Sequence, residues 1–124
     1  MQVKIDTREK FHVITISEPK LAANMTAELN KCLLPFLDGE ISNVVLNCED
    51  IRDIDSAAAT QLLNIQQRFY DQQNSFVICN LETPAGCSIE TTELIEQLNI
   101  TPTESEAWDI VQMEEIEREL MGGD

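Results

Sequence analysis

Apolar and polar positions along the chain change their period several times, and each change marks an element. Residues 2–6 (QVKID) and 11–16 (FHVITI) alternate, and the polar run from Thr7 to Lys10 makes them two strands of a hairpin. Pro19 closes that region. From Asn24 to Leu37 the spacing predicts a helix: Leu29, Leu33 and Phe36 recur beside Met25 and Cys32, and Pro35 marks its last turn or exit. Asp38-Gly39 is a turn signal. Residues 43–48 (NVVLNC) form a short apolar run suited to a central strand covered on both faces.

A second helix is predicted over 57–73, with Leu62, Ile65 and Phe69 as its stripe, Ala59, Leu63 and Tyr70 flanking it and Asn74 as its stop. Residues 76–80 (FVICN) repeat the central-strand signature. Beyond a loop punctuated by Pro84 and Gly86, residues 90–98 (ETTELIEQL) read as a third helix, and Ile100 and Thr101 as a short edge strand. Thr103 and Glu106 have capping-box spacing ahead of a last helix, on which Trp108, Val111, Ile116 and Leu120 are expected near one face.

The order β-β-α-β-α-β-α-(β)-α belongs to the α/β class. It implies right-handed crossovers and a mixed, mostly parallel sheet of four to five strands with four helices. A length of 124 residues suits one domain, which would bury about two-thirds of the surface its unfolded chain exposes. That domain is expected over 1–121, with 122–124 as a frayed tail.

Charge narrows the partners. Eight basic residues against 23 acidic ones give a net charge of -15, which leaves no cationic surface for nucleic acid or an anionic membrane. A basic protein surface is the partner it suits. No apolar run approaches the roughly 20 residues of a membrane span and none reads as a signal peptide, so a cytoplasmic protein is expected. Cys32, Cys48, Cys79 and Cys87 lack CxxC spacing, and His12 is the lone histidine, on an alternating strand. Reduced thiols, with no metal site and no cofactor, are the expectation.

The stretch that carries chemistry is "CEDIRDIDSAAATQLLNIQQRF", residues 48–69. Asp55 and Ser56 both qualify as N-cap of the second helix, since either side chain can accept from an orphan first-turn amide. A helix N-terminus also carries partial positive charge and free donors, so a phosphate on Ser56 would be tolerated there. Aspartates 50, 53 and 55 could gather Mg²⁺, and "DIDSAAAT" has some likeness to the nucleophile loop of aspartate phosphotransferases. That reading lacks a preceding strand, a lysine partner, a phosphate loop and a nucleophile–histidine pair.

"VVLNCEDIRDIDSAAATQLLNIQQRF" followed by "SFVICNL" resembles the STAS domain, the module of sulphate transporters and bacterial anti-sigma factor antagonists. The shared pattern is a strand, an acidic linker, Asp-Ser opening a helix, and a strand ending near Cys-Asn; the likeness runs from about residue 2 to 118. It implies a non-enzymatic anti-sigma factor antagonist that works by partner switching, probing no nucleic acid or membrane itself. Ser56 falls at the position phosphorylated by a kinase that is also the anti-sigma factor, and Asp55 at the acidic residue before it. The unphosphorylated protein would bind the anti-sigma factor; phosphorylation would break the complex, and a serine phosphatase would reset it. The partner face so implied comprises Asp55, Ser56, Ala57, Ala58, Thr60 and, from the loop before the first helix, Asn24, on a monomer or weak dimer. The family's Ser-Gly after the phosphorylated serine is Ala57-Ala58 here, and an acidic residue common in the first strand-to-helix loop is Ala22. The same family includes small subunits of lipid-transport ABC complexes that dock on the ATPase without a phosphoserine switch, and this is the alternative function.

Overall fold

The computed structural model describes residues 1–122, so positions 123 and 124 of the expected tail lie outside the described residues. Strands β1 (Val3–Thr7) and β2 (Phe11–Ile16) form the expected antiparallel hairpin. Next come β3 (Lys20–Leu21), helix α1 (Thr26–Leu33), β4 (Asn43–Asn47), β5 (Asp53–Ile54), α2 (Ser56–Asp71) and β6 (Phe76–Cys79). The chain closes with α3 (Ile89–Glu96), β7 (Ile100–Thr101) and α4 (Glu104–Gly122).

The main sheet has the order β1-β2-β4-β6-β7, and every pairing after β1–β2 is parallel. All five residues of β4 and all four of β6 are buried, as apolar runs covered on both faces require. The pleat divides them. Ile14, Ile16, Val44, Leu46, Phe76 and Ile78 meet α1, α2 and α3 through Leu29, Leu33, Leu62, Ile65, Phe69 and Ile95. Phe11, Val13, Val45, Val77 and Cys79 face the other way, against Ala107, Trp108 and Val111 of α4. Three helices therefore cover one face and a single helix covers the other.

Four details depart from the sequence reading. The first helix is not continuous over 24–37: α1 is flanked by 3-10 turns at Ala23–Met25 and Leu34–Asp38. Pro35 explains the second turn, because it has no N–H to continue the i→i−4 ladder. The stop of α2 is one residue earlier than Asn74. Gln73 takes the left-handed conformation (φ 64°), with Gln73 N–H donating to Tyr70 O and Asn74 N–H to Phe69 O, the double bond of a Schellman ending.

The third departure is β3 and β5, which pair in parallel as Lys20↔Asp53 and Leu21↔Ile54 in a small second sheet. The fourth concerns α4. Ile116 and Leu120 do not join Trp108 and Val111 in the core; they are 55% and 78% exposed. At about 100° per residue Ile116 lies roughly 140° around the helix from Val111, and Leu120 about 180°. The inward positions of that half are Glu114, Glu115 and Arg118. Tyr70 Oη and Ser75 Oγ donate to Glu114 at 2.8 and 2.6 Å, and Asn43 Nδ2 donates to Glu115 at 2.7 Å.

Candidate functional site

The start of α2 is assembled from three separate segments. Parallel pairing of β3 with β5, extended by Asp55 N–H donating to Leu21 O at 3.1 Å, sets residues 22–25 beside the helix start. Asp55 then takes the cap. Its Oδ1 accepts from Ala58 N–H at 2.9 Å, and its Oδ2 accepts from Ala23 N–H at 2.8 Å. One carboxylate thus satisfies an orphan donor of α2 and anchors the loop that leads into α1.

Because Asp55 holds the cap, Ser56 is the first residue of the helix proper. It is half-buried, and its hydroxyl has no hydrogen-bond partner among the described residues. The N–H groups of Ser56 and Ala57 lie beyond reach of any intrahelical acceptor. Chemically this is an accessible hydroxyl beside free amide donors at the positive end of a 16-residue helix.

Ala57, Thr60 and Asn24 are exposed around it. Asn24 sits in the 3-10 turn that Asp55 anchors, so the loop and the helix share one rim. Ala58 is a correction. It was expected on the partner face with Ala57, but Ala58 and Ala59 are both fully buried. They let α2 approach the sheet closely, while Ala57 alone presents a methyl group outward. The aspartates do not converge on a cation either. Asp53 faces Lys20 at 3.7 Å and Asp55 is committed to two amides, and among the described residues no three acidic, histidine or cysteine side chains are grouped to hold a metal.

Two features beside this rim carry no sequence expectation. Ala23 contributes through its backbone, which no side-chain pattern reveals. A groove of about 960 Å³ also opens at the carboxyl ends of β4, β6 and β7, between Glu49, Arg52, Asn80, Glu82 and Thr101. At its floor Asn80 adopts a left-handed backbone (φ 61°) and donates to Asn47 Oδ1 at 3.2 Å. The signal was the Asn at the end of "VICN", since asparagine is among the few residues that tolerate this conformation.

Cys32, Cys48 and Cys79 have thiols shifted by burial. Burial pushes Cys79 up to about 12, aided by Glu104 and Glu49, and burial likewise raises Cys48 and Cys32. His12 is occupied, its Nε2 lying 3.0 Å from Ile41 O and its Nδ1 2.9 Å from Thr7 Oγ1.

The STAS domain family model matches residues 2–107. The chain belongs to the STAS domain family. Among solved structures, it is similar to a provisionally assigned anti-sigma factor antagonist of Thermotoga maritima, at 20% identity and a TM-score of 0.70, covering 89% of this chain and 94% of that one. A Ser→Glu variant of RsbS from Moorella thermoacetica follows at 15% identity and 0.69, covering 90% of this chain and 96% of that one. The anti-sigma factor antagonist SpoIIAA in its unphosphorylated form matches at 16% identity and 0.64, covering 90% and 98%. The Bacillus protein in its phosphorylated form matches at 15% and 0.63, covering 89% and 99%. No curated protein sequence matches the chain at a significant level. These likenesses establish the STAS fold, with its single domain, mainly parallel five-stranded sheet and four helices. Among the described residues no helix of this STAS domain is long and apolar enough to cross a membrane.

Proposed function

We propose that this STAS domain is an anti-sigma factor antagonist whose docking surface is the start of α2 and the adjoining 3-10 turn, and that phosphorylation of Ser56 closes it. The observation that carries this reading is the division of labour between neighbours. Asp55 takes the capping duty and leaves the Ser56 hydroxyl free and reachable at a helix N-terminus.

A phosphoryl group on Ser56 adds about -1.5 to -2 charges at one point. The free amides and the helix dipole tolerate it within this chain. A partner backbone seated against Ala57 and Thr60 does not: an uncompensated buried charge costs several kcal/mol, enough to abolish a micromolar complex near -8 kcal/mol. The implied partners are an anti-sigma factor with serine kinase activity and a serine phosphatase that resets the switch, acting in the cytoplasm. The acidic surface suits a basic partner face.

Incubation with the cognate kinase and ATP tests the assignment, read by intact-mass and peptide mass spectrometry. One phosphate is expected, on Ser56, and none on Ser56→Ala. Modification of the alanine variant at one site would place the switch elsewhere. A chain that stays unmodified but binds a transporter ATPase would favour the reading as a subunit of a lipid-transport ABC complex.

A further inference from the structure

The outward face of α4 carries an apolar stripe with nothing against it. Met113, Ile116 and Leu120 are 59%, 55% and 78% exposed, and Met121 adjoins them at 88%. These are four of the six exposed large hydrophobic residues among the described ones, drawn from nine consecutive positions, so the exposure is a patch and not scatter. Their spacing of three and then four residues is the a-d-a register of a helix that pairs with another helix. The inward side of the same turns is already occupied, as Glu114 and Glu115 bond the sheet and Arg118 Nη1 lies 3.0 Å from Glu115 Oε1.

Charge identifies the occupant. In that register Glu117 takes an e position and Glu119 and Gln112 take g positions. Lys10, exposed and 4.0 Å from Glu119, borders the stripe, and Arg118, which shares a cleft with Glu117 and Met121, is already engaged by Glu114 and Glu115. A second copy paired antiparallel would set Glu117 against Glu117 and Glu119 against Glu119, on two bodies each carrying -15. Like charges at these flanks oppose pairing, while lysine or arginine there favours it.

We propose that the outer face of α4 docks an amphipathic helix of another protein, apolar at its a and d positions and basic at its flanks. The surface is distinct from the rim at Ser56. α4 covers the opposite face of the sheet from α2, and its bonds to Asn43 and Ser75 place this half at the amino ends of β4 and β6. Ser56 follows β5, beyond the carboxyl end of β4. Both surfaces can be occupied together, and phosphorylation at one leaves the other unchanged.

A synthetic helical peptide with leucine at a and d and lysine at e and g is the probe, titrated calorimetrically into the full chain. Saturable binding is expected, weakened about tenfold or more in Ile116→Ser/Leu120→Ser, which removes buried apolar area but no charge. Glu117→Lys/Glu119→Lys is expected to reverse the preference towards a matching peptide with glutamate flanks. Trp108 fluorescence, inside the domain, checks that each variant is folded. Absence of binding, equal affinity for the serine variant (simple attraction to an acidic protein), or equal affinity for the two peptides would overturn the proposal. So would self-association of the chain in sedimentation that Ile116→Ser/Leu120→Ser abolishes, which would make the occupant a second copy.

Discussion

Asp55 accepts a hydrogen bond from the backbone N–H of Ala23 at 2.8 Å, across 32 residues of sequence. That contact makes the start of α2 and the entry to α1 one surface instead of two loops. The same carboxylate caps α2 through Ala58 N–H. Removing it should therefore act on both sides of the rim.

Asp55→Ala is expected to cost about 2 kcal/mol, one for the lost cap and one for the lost loop contact. The effect should appear in denaturant midpoint at unchanged slope, and hydrogen exchange should rise at Ala23 and Ala58. Ser56→Ala, whose hydroxyl has no partner among the described residues, should leave the midpoint within about 0.5 kcal/mol of the parent. A Ser56→Ala loss as large as that of Asp55→Ala would reverse the capping assignment.

Glu114 receives Tyr70 Oη at 2.8 Å and Ser75 Oγ at 2.6 Å, and Arg118 lies 3.8 Å away. Glu114→Ala leaves two hydroxyls without their acceptor and should cost about 1–3 kcal/mol in chemical denaturation. Tyr70→Phe removes one of these donors and the acceptor of Asn99 Nδ2 at 2.9 Å, but keeps the Ser75 bond to Glu114, and should cost less. A neutral Glu114→Ala would mean that the network does not hold α4 to the sheet.

Trp108 stands 5.4 Å from Phe11, centroid to centroid, with the Arg8 guanidinium 4.8 Å above its ring. It is the chain's single tryptophan, so its fluorescence reports the docking of α4 specifically. Urea unfolding followed by this signal and by far-ultraviolet circular dichroism should give coincident transitions. An earlier fluorescence transition would show α4 detaching as a unit of its own.

Cys79 and Cys48 titrate above an ordinary thiol because burial disfavours the thiolate, and Tyr70 is raised by burial and by Glu114. For each, the folded state holds its proton to higher pH than the unfolded chain. Their contribution is therefore full below the unfolded value near 9 for the thiols and is lost as pH rises towards about 12. Stability should decline on the alkaline side, and Cys79→Ala should decline less steeply than the parent in a pH series of thermal melts. An identical slope would rule out Cys79 as a contributor.

Much of the fold is legible because burial writes itself into period. β4 and β6 announce themselves as apolar runs covered on both faces, and β2 as an alternation divided between the two cores. The two-residue strands β3 and β5 carry no such signature, since their pairing is a consequence of the surrounding chain path. Asp55 and Ser56 were equal candidates for the cap for a related reason. Both have the right side chain, and the second amide that Asp55 engages belongs to Ala23, far away in sequence. Ala58 is suited equally to a smooth surface and a tight core, and only the docking angle of α2 puts it inside. On α4, apolar residues at two opposite angles of one helix blur into a single stripe unless each is assigned its own 100° step.

The central claim is that the Ser56 rim binds a protein and that a phosphoryl group there prevents it. Calorimetric titration of the cognate anti-sigma factor with the chain, unphosphorylated and phosphorylated at Ser56, measures this directly. The unphosphorylated form is expected to bind in the micromolar range or tighter, and the phosphorylated form about a hundredfold or more weaker, as a buried charge of several kcal/mol requires. Equal affinity of the two forms, with phosphorylation at Ser56 established by mass spectrometry, would contradict it.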